Sequence, residues 1–316
     1  MKGPAAFTGV SDMPSRPIQF LLVSAHPADS FDQAGGTLAH HVARGDRITV
    51  AVATTGVRSH HWKLRDAKIA GRDTSGFEQK AEKAVKEKIE EVRSACRIMG
   101  FDDVRDLGFD DDDILLTRDK VDAIADMIRE VKPDVLIAHH PFETGGLKMH
   151  GTIGQATMYG WQVALGYGRG DQQPHRTSVV YFMGPINYIG NNSLEYGGTS
   201  RADLYVDITD VIDKKVKAID LISSQYYSGA YARKVAETGN GHFGQHAGCA
   251  YAECFQRFRP MVRYTLPISD YDLDQVDEPM ESVMCRRGEM AGAFVPMPAD
   301  MRFDSDHRVS EAKYDG

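Results

Sequence analysis

The stretch "LLVSAHPADSFDQAGG", residues 21–36, decides the fold. Its apolar opening extends back to Ile18, so "IQFLLVS", bounded by Pro17, reads as a short strand buried on both faces. The apolar run ends at His26, and a carboxylate, Asp29, follows three residues later. A strand apolar on both faces implies a parallel sheet covered by helices, and such sheets hold their ligands beyond the strands' carboxyl ends. The histidine and the aspartate occupy that place.

The chain on either side keeps the same rhythm. "GTLAHHVARG" carries a helical pattern that Gly45 closes, with Asp32 either supporting a ligand or capping this helix, and "RITVAVATT" is a second strand. From Phe77 to Met99 apolar residues recur near every 3.6 positions among Lys and Glu, an amphipathic helix closed by Gly100. "DVRDLGF" predicts a third strand, "TRDKVDAIADMIREV" a helix with Thr117 as N-cap, and "PDVLIAHH" a fourth strand. "TSVVYFM" predicts a further strand, and "LYVDITDVIDKKVKAIDLISSQYY" a strand leading into a helix. Strands alternating with helices give an α/β fold with a mostly parallel, doubly wound sheet. The expected organisation is a flexible N-terminus over 1–16, one catalytic domain over 17–264, and an irregular extension rich in Met, Asp and Pro over 265–316, packed on the domain or on a neighbouring subunit.

Composition narrows the function. The 316 residues carry a net charge of −8, which argues against a nucleic-acid or anionic-membrane partner and favours a small diffusing one. Four cysteines, Cys96, Cys249, Cys254 and Cys285, have no paired spacing and read as reduced thiols. No signal-peptide core and no run of eighteen apolar residues is present, so the expectation is a soluble, cytoplasmic protein.

A histidine and an aspartate three apart on a strand-end loop can aim a nitrogen and an oxygen at one divalent ion such as zinc, given a third ligand and an open position for water. "HHPFETGGLKMHGTIGQA" offers His139, His140 and His150 at the end of another strand.

At these residues the chain resembles the PIG-L/LmbE-like family of zinc-dependent deacetylases. "SAHPADSFDQAGG" is similar to that family's AHPDDE signature, with further likeness in "PDVLIAHHP", "MHGTIGQA", "VDITDVIDKKVKAIDLISSQ" and "YAECFQRF". The resemblance implies a Rossmann-like three-layer sandwich and a zinc ion held by His26, Asp29 and His150, other divalent metals being compatible. It also exposes gaps. The family's general base falls on Ala28, and the histidine that stabilises the oxyanion falls on Leu147. The His-x-Ala-Asp form also resembles 4-oxalomesaconate hydratase, whose catalytic glutamate falls here on Val57.

The expected activity is therefore zinc-dependent attack of water on a small polar substrate, carboxylated or N-acylated. Amide C–N hydrolysis comes first, hydration of an unsaturated carboxylic acid second, and a non-catalytic metal-binding homologue third; a homo-oligomer is also expected. A positioned acid or base is typically worth about 10²- to 10⁴-fold, so a substitute for the missing base is sought among His60, His61, His140, Glu143, His242 and His246. His139 reads as a residue that orients a ligand. Arg58, Lys63, Arg65 and Lys148 are candidates to pair with a substrate carboxylate. Asp110 to Asp113 read as a solvated loop, since consecutive residues cannot converge on one ion, while Trp62, Trp161, Tyr226 and Tyr227 are candidates to line a pocket or pack the core.

Overall fold

The computed structural model describes residues 14–59, 62–142, 148–168, 172–184, 202–269, 272–273 and 276–288. β1 (Gln19–Ser24) leads through α1 (Asp29–Ala43) to β2 (Arg47–Thr54), and α2 (Trp62–Ile69) and α3 (Phe77–Met99) lead to β3 (Asp103–Phe109). Next come α4 (Arg118–Val131), β4 (Val135–His139), α5 (Lys148–Leu165) and β5 (Val179–Met183). The chain closes with β6 (Leu204–Asp207), α6 (Ile212–Asp220), α7 (Ala230–Val235), α8 (Gly241–Ala247), β7 (Ala252–Arg257) and α9 (Met280–Arg287).

The strands form one seven-stranded sheet in the order β3-β2-β1-β4-β5-β7-β6. β1 pairs in parallel with β2 and with β4, and the parallel run continues to β3 and β5. β7 is antiparallel to both of its neighbours. The chain first grows outward from β1 to β3, then crosses to place β4 on the other side of β1. The β1–β4 boundary is thus a topological switch point, with a crevice beyond its carboxyl ends.

Alternate residues of β1 feed two cores. Phe20 and Leu22 join Phe31, Leu38 and Met99 on one face, while Leu21 and Val23 join Ile124, Leu136 and Ile153 on the other. Each fully buried Leu or Ile is worth about 1.5–3 kcal/mol, and cover on both faces is why β1 reads as an unbroken apolar run. The result is the expected three-layer α/β sandwich. Among the described residues no helix is long and apolar enough to cross a membrane.

Four local expectations change. The first helix starts at Asp29, with Ala28 at its N-cap, so Asp32 lies inside the first turn rather than at the cap position. Thr117 does sit at the N-cap of α4, but its hydroxyl makes no cap hydrogen bond. "AECFQR" forms β7, an antiparallel strand beyond those the sequence pattern predicts. The extension is not irregular throughout: α9 lies within it, the guanidinium of Arg286 donates to the Gly248 carbonyl, and Gln245 donates to the Arg287 carbonyl at 3.3 Å, tying it to the region of α8.

The Asp110–Asp113 loop also departs from a purely solvated one. Asp111 is buried and accepts from the backbone N–H groups of Arg58, at 3.3 Å, and Ser59, at 2.6 Å, so it pins the loop after β2. Beneath it lies Lys88, fully buried on the apolar face of α3, with its ammonium 3.4 Å from the Ser224 hydroxyl. Burial lowers its pKa from 10.5 to about 8, against the pull of Glu91 and Asp111. A lysine depressed in the fold binds fewer protons folded than unfolded between those values, so it makes stability rise as pH climbs from about 8 to 10.5. Lys88→Met is expected to stabilise the protein at pH 7 by up to about 3 kcal/mol and to flatten that rise. Urea unfolding at pH 7 and at pH 10 measures both; a variant destabilised at pH 7 would contradict the burial argument.

Candidate metal centre

Three side chains meet at the switch point. His26 and Asp29 come from the turn where β1 becomes α1, and His150 from the first turn of α5, which returns from the end of β4. One nitrogen of His26, one nitrogen of His150 and one oxygen of Asp29 all lie within 4.8 Å of one another, and all three residues are buried. Asp29 Oδ2 is 3.5 Å from His26 Nδ1 and 3.4 Å from His150 Nε2. It also accepts the His26 backbone N–H at 2.6 Å, which fixes the carboxylate at the helix entrance.

Other elements hold these groups in place. His139, fully buried at the end of β4, stacks on His150 with ring centroids 4.0 Å apart. Its Nε2 lies 3.1 Å from Asp29 Oδ2 and accepts the Ala25 N–H at 3.0 Å, so one imidazole joins the β1 loop, the carboxylate and α5. Gly154 lets α5 approach: a Cβ there would lie 2.7 Å from the His139 carbonyl oxygen. Any larger residue would push α5, and His150 with it, off the strand end.

The electrostatics suit cation binding. Burial pushes the His26 imidazole below its ordinary value, against the pull of Asp29, and so favours the neutral ring that can donate a lone pair. Burial opposes ionisation of Asp29, yet the imidazoles of His150 and His26 hold its carboxyl well below the usual range. Two imidazole nitrogens and one carboxylate oxygen, converging in a buried site with a neighbour orienting them, fit a divalent ion.

The remaining candidates are scattered. His140 is buried beside His139, its Nδ1 accepting the Phe142 N–H at 3.2 Å and its ring edge-on to Phe182. His242 and His246 are exposed on α8, rings 4.7 Å apart, over β6 and β7 rather than at the switch point. β7 lies three strands from β1, about 14 Å at normal strand spacing, which removes this pair from the centre. Arg58 has Asp110 as its neighbour, 3.3 Å from its Nε, and Arg65 has Asp66 at 3.6 Å. His60, His61 and Glu143 lie outside the described residues, as do the side chains of Lys63 and Lys148, and Leu147. Ala28 and Val57, where the two related chemistries would place a base, are buried and apolar.

A stacked pair of tyrosines lies within electrostatic range of Asp32 and Asp29. Tyr227 and Tyr231 stack at 4.3 Å, and the Tyr227 phenol is pushed well above its ordinary value, first by burial and then by Tyr231, Asp32 and Asp29. A phenol so placed stays protonated, and its hydroxyl is hydrogen-bonded to Tyr231. Tyr227 was legible only as an aromatic near a helix end, and Tyr231 gave no signal in the sequence.

Residues 21–160 match a family described as PIG-L: GlcNAc-PI de-N-acetylase. The chain is 26% identical over 218 residues to a 1D-myo-inositol 2-acetamido-2-deoxy-alpha-D-glucopyranoside deacetylase of Salinispora arenicola, covering 62% of this chain and 67% of that one. It is 29% identical over 265 residues to a 4-oxalmesaconate hydratase of Pseudomonas putida, covering 78% and 91%. A solved 4-carboxy-2-hydroxymuconate hydratase from Pseudomonas putida shares the fold with a TM-score of 0.64, at 24% identity, over 79% of this chain and 100% of that one.

Proposed function

We propose that this chain, which carries a PIG-L domain across residues 21–160, is a metal-dependent enzyme that activates water for attack on a small polar substrate. The observation that carries the reading is the buried convergence of His26, Asp29 and His150 at the switch point of the sheet. These three residues would hold zinc, or another divalent ion that accepts two nitrogens and one oxygen. Zinc, when bound, supplies Lewis acidity that lowers the pKa of a coordinated water from 15.7 to about 7.

The chain's own groups do the rest. His26, its pKa lowered by burial, presents a neutral imidazole, His150 offers a second ring nitrogen, and Asp29 contributes a negative charge. His139 and the Ala25 amide keep these ligands from turning away. His140 stays our candidate for moving a proton, together with His60, His61 and Glu143. We extend the reading to a carboxylated or N-acylated small-molecule substrate, with Arg58, Lys63, Arg65 and Lys148 as candidates to bind it, and to a homo-oligomer working in the cytoplasm.

For the reaction we favour hydrolysis of an N-acyl amide, supported by the domain match and the deacetylase relative. A second reading, hydration of an unsaturated carboxylic acid, has two specific supports: Ala28 stands buried where a deacetylase would keep its carboxylate base, and the hydratase relative is matched over 91% of its length. One screen separates them. Purified protein is assayed for metal, stripped with chelator, and reconstituted with zinc against N-acetylated amino sugars and unsaturated di- and tricarboxylates. Turnover that vanishes with chelator and returns with zinc is expected, releasing acetate in the first case and yielding a product heavier by one water in the second. Metal-replete protein inert toward both classes would defeat the reading.

A further inference from the structure

We propose that a second site, at the opposite end of the sheet from the metal centre, binds a small oxyanion carrying two or more negative charges. A cavity of about 310 Å³ opens where β5 begins and β7 ends. It is lined by three arginines, Arg176, Arg257 and Arg259, together with Trp161, Thr177 and Phe258, and no acidic residue is among its described lining residues. Trp161 sits eleven residues beyond His150 on α5, about 16 Å along the helix, so the two sites are separate.

Three features point to an anionic ligand. First, among the described residues none of these three guanidiniums pairs with a carboxylate; Asp203 accepts the Arg257 backbone N–H at 3.0 Å. In a chain of net charge −8, three uncompensated cations around one cavity set up a local potential opposite to the whole. Second, Trp161 Nε1, Thr177 Oγ1 and Arg257 Nη1 are buried with no hydrogen-bond partner. Buried polar atoms are rarely left so, and what this lining lacks is a group with several acceptors. Third, Arg259 lies over the Trp161 ring at 5.4 Å and Phe258 meets that ring edge-on at 5.6 Å, which holds a guanidinium fork in a fixed plane. Planar forks recognise carboxylate and phosphate oxygens two at a time, and both chemistries meet this description.

The test uses the full chain, stripped of metal so that chelating anions have no ion to bind. Citrate, inorganic pyrophosphate and, at matched ionic strength, chloride are titrated in turn by calorimetry, with tryptophan fluorescence followed in parallel. Saturable binding of citrate or pyrophosphate is expected, with chloride inert; which of the two binds more tightly identifies a carboxylate or a phosphate ligand. Arg176→Gln/Arg259→Gln alters two exposed side chains and is expected to weaken binding about tenfold or more with an unchanged circular dichroism spectrum. Asp29→Asn is expected to leave it untouched. The proposal falls if neither anion saturates, if chloride binds equally well, if the double arginine variant binds as the wild type does, or if Asp29→Asn abolishes the binding.

Discussion

Asp29→Asn will purify with almost no zinc and will show no turnover on any substrate the wild type accepts. The carboxylate is the sole anion of the cluster and sits within 3.5 Å of both imidazole ligands. Loss of a residue that merely orients a ligand costs about 10- to 100-fold in metal affinity, so loss of a ligand that also carries the charge will cost more. The same substitution has a signature in the metal-free protein. The folded-state pKa of Asp29 lies well below 3.8, so the stability it contributes is present above the unfolded value and is lost as pH falls through the folded one. Metal-free wild type and metal-free Asp29→Asn will therefore differ in thermal stability at pH 7 and converge in strong acid. Elemental analysis of the purified variant and melting curves across pH 2–7 read both effects. A variant that keeps its zinc and its activity would remove the centre from the catalytic account.

The metal cluster was legible because each of its parts leaves a mark in the sequence. β1 is an apolar run that ends at Ser24, two residues before His26, and β4 one that ends on His139, as strands of a parallel sheet covered on both faces do. The start of α1 was not legible. Asp, Ser, Asp, Gly and Gly are poor helix formers, and residues 29–36 are helical because tertiary contacts impose it. Gly36 shows how: a Cβ there would lie 2.5 Å from the Ile208 side chain, so glycine is required by packing while helix propensity argues against it. β7 is hidden for a related reason, since a charged residue, Glu253, holds the second of its six positions yet is buried. Lys88 hid among the lysines and glutamates of α3, although its spacing of four from Ala84 and from Val92 put it on the apolar stripe. The acid/base group stayed illegible because its expected position holds Ala28, and a residue replacing it from elsewhere in the fold leaves no fixed spacing to read.

Glu253 and Lys215 make the second large prediction, because they connect β7 and α6 to the helix that carries Asp29. Both are fully buried, 2.9 Å apart. Lys215 donates to the Asp32 carbonyl at 2.6 Å, and the two Glu253 oxygens accept the N–H groups of Gly36 and Thr37, each at 2.8 Å. Asp32 O and Gly36 N are groups that a regular helix pairs with each other, so the ion pair plugs into the backbone of α1 one turn beyond Asp29. A buried pair adds little over an apolar one, but removing one partner strands the other charge and costs about 3–5 kcal/mol. Against a typical total of about 5–15 kcal/mol, Glu253→Gln will bring the protein near its unfolding limit. It will also weaken zinc binding, because α1 can then shift at the turn that presents Asp29. Lys215→Met/Glu253→Leu, which removes both charges and fills the space, is expected to recover most of the stability. The zinc affinity will recover less, since the amides of Gly36 and Thr37 lose their acceptor and α1 its anchor. Urea unfolding paired with zinc titration of the single and double variants measures this split. Single variants that each cost less than about 1 kcal/mol would show instead that α1 holds its position without the pair.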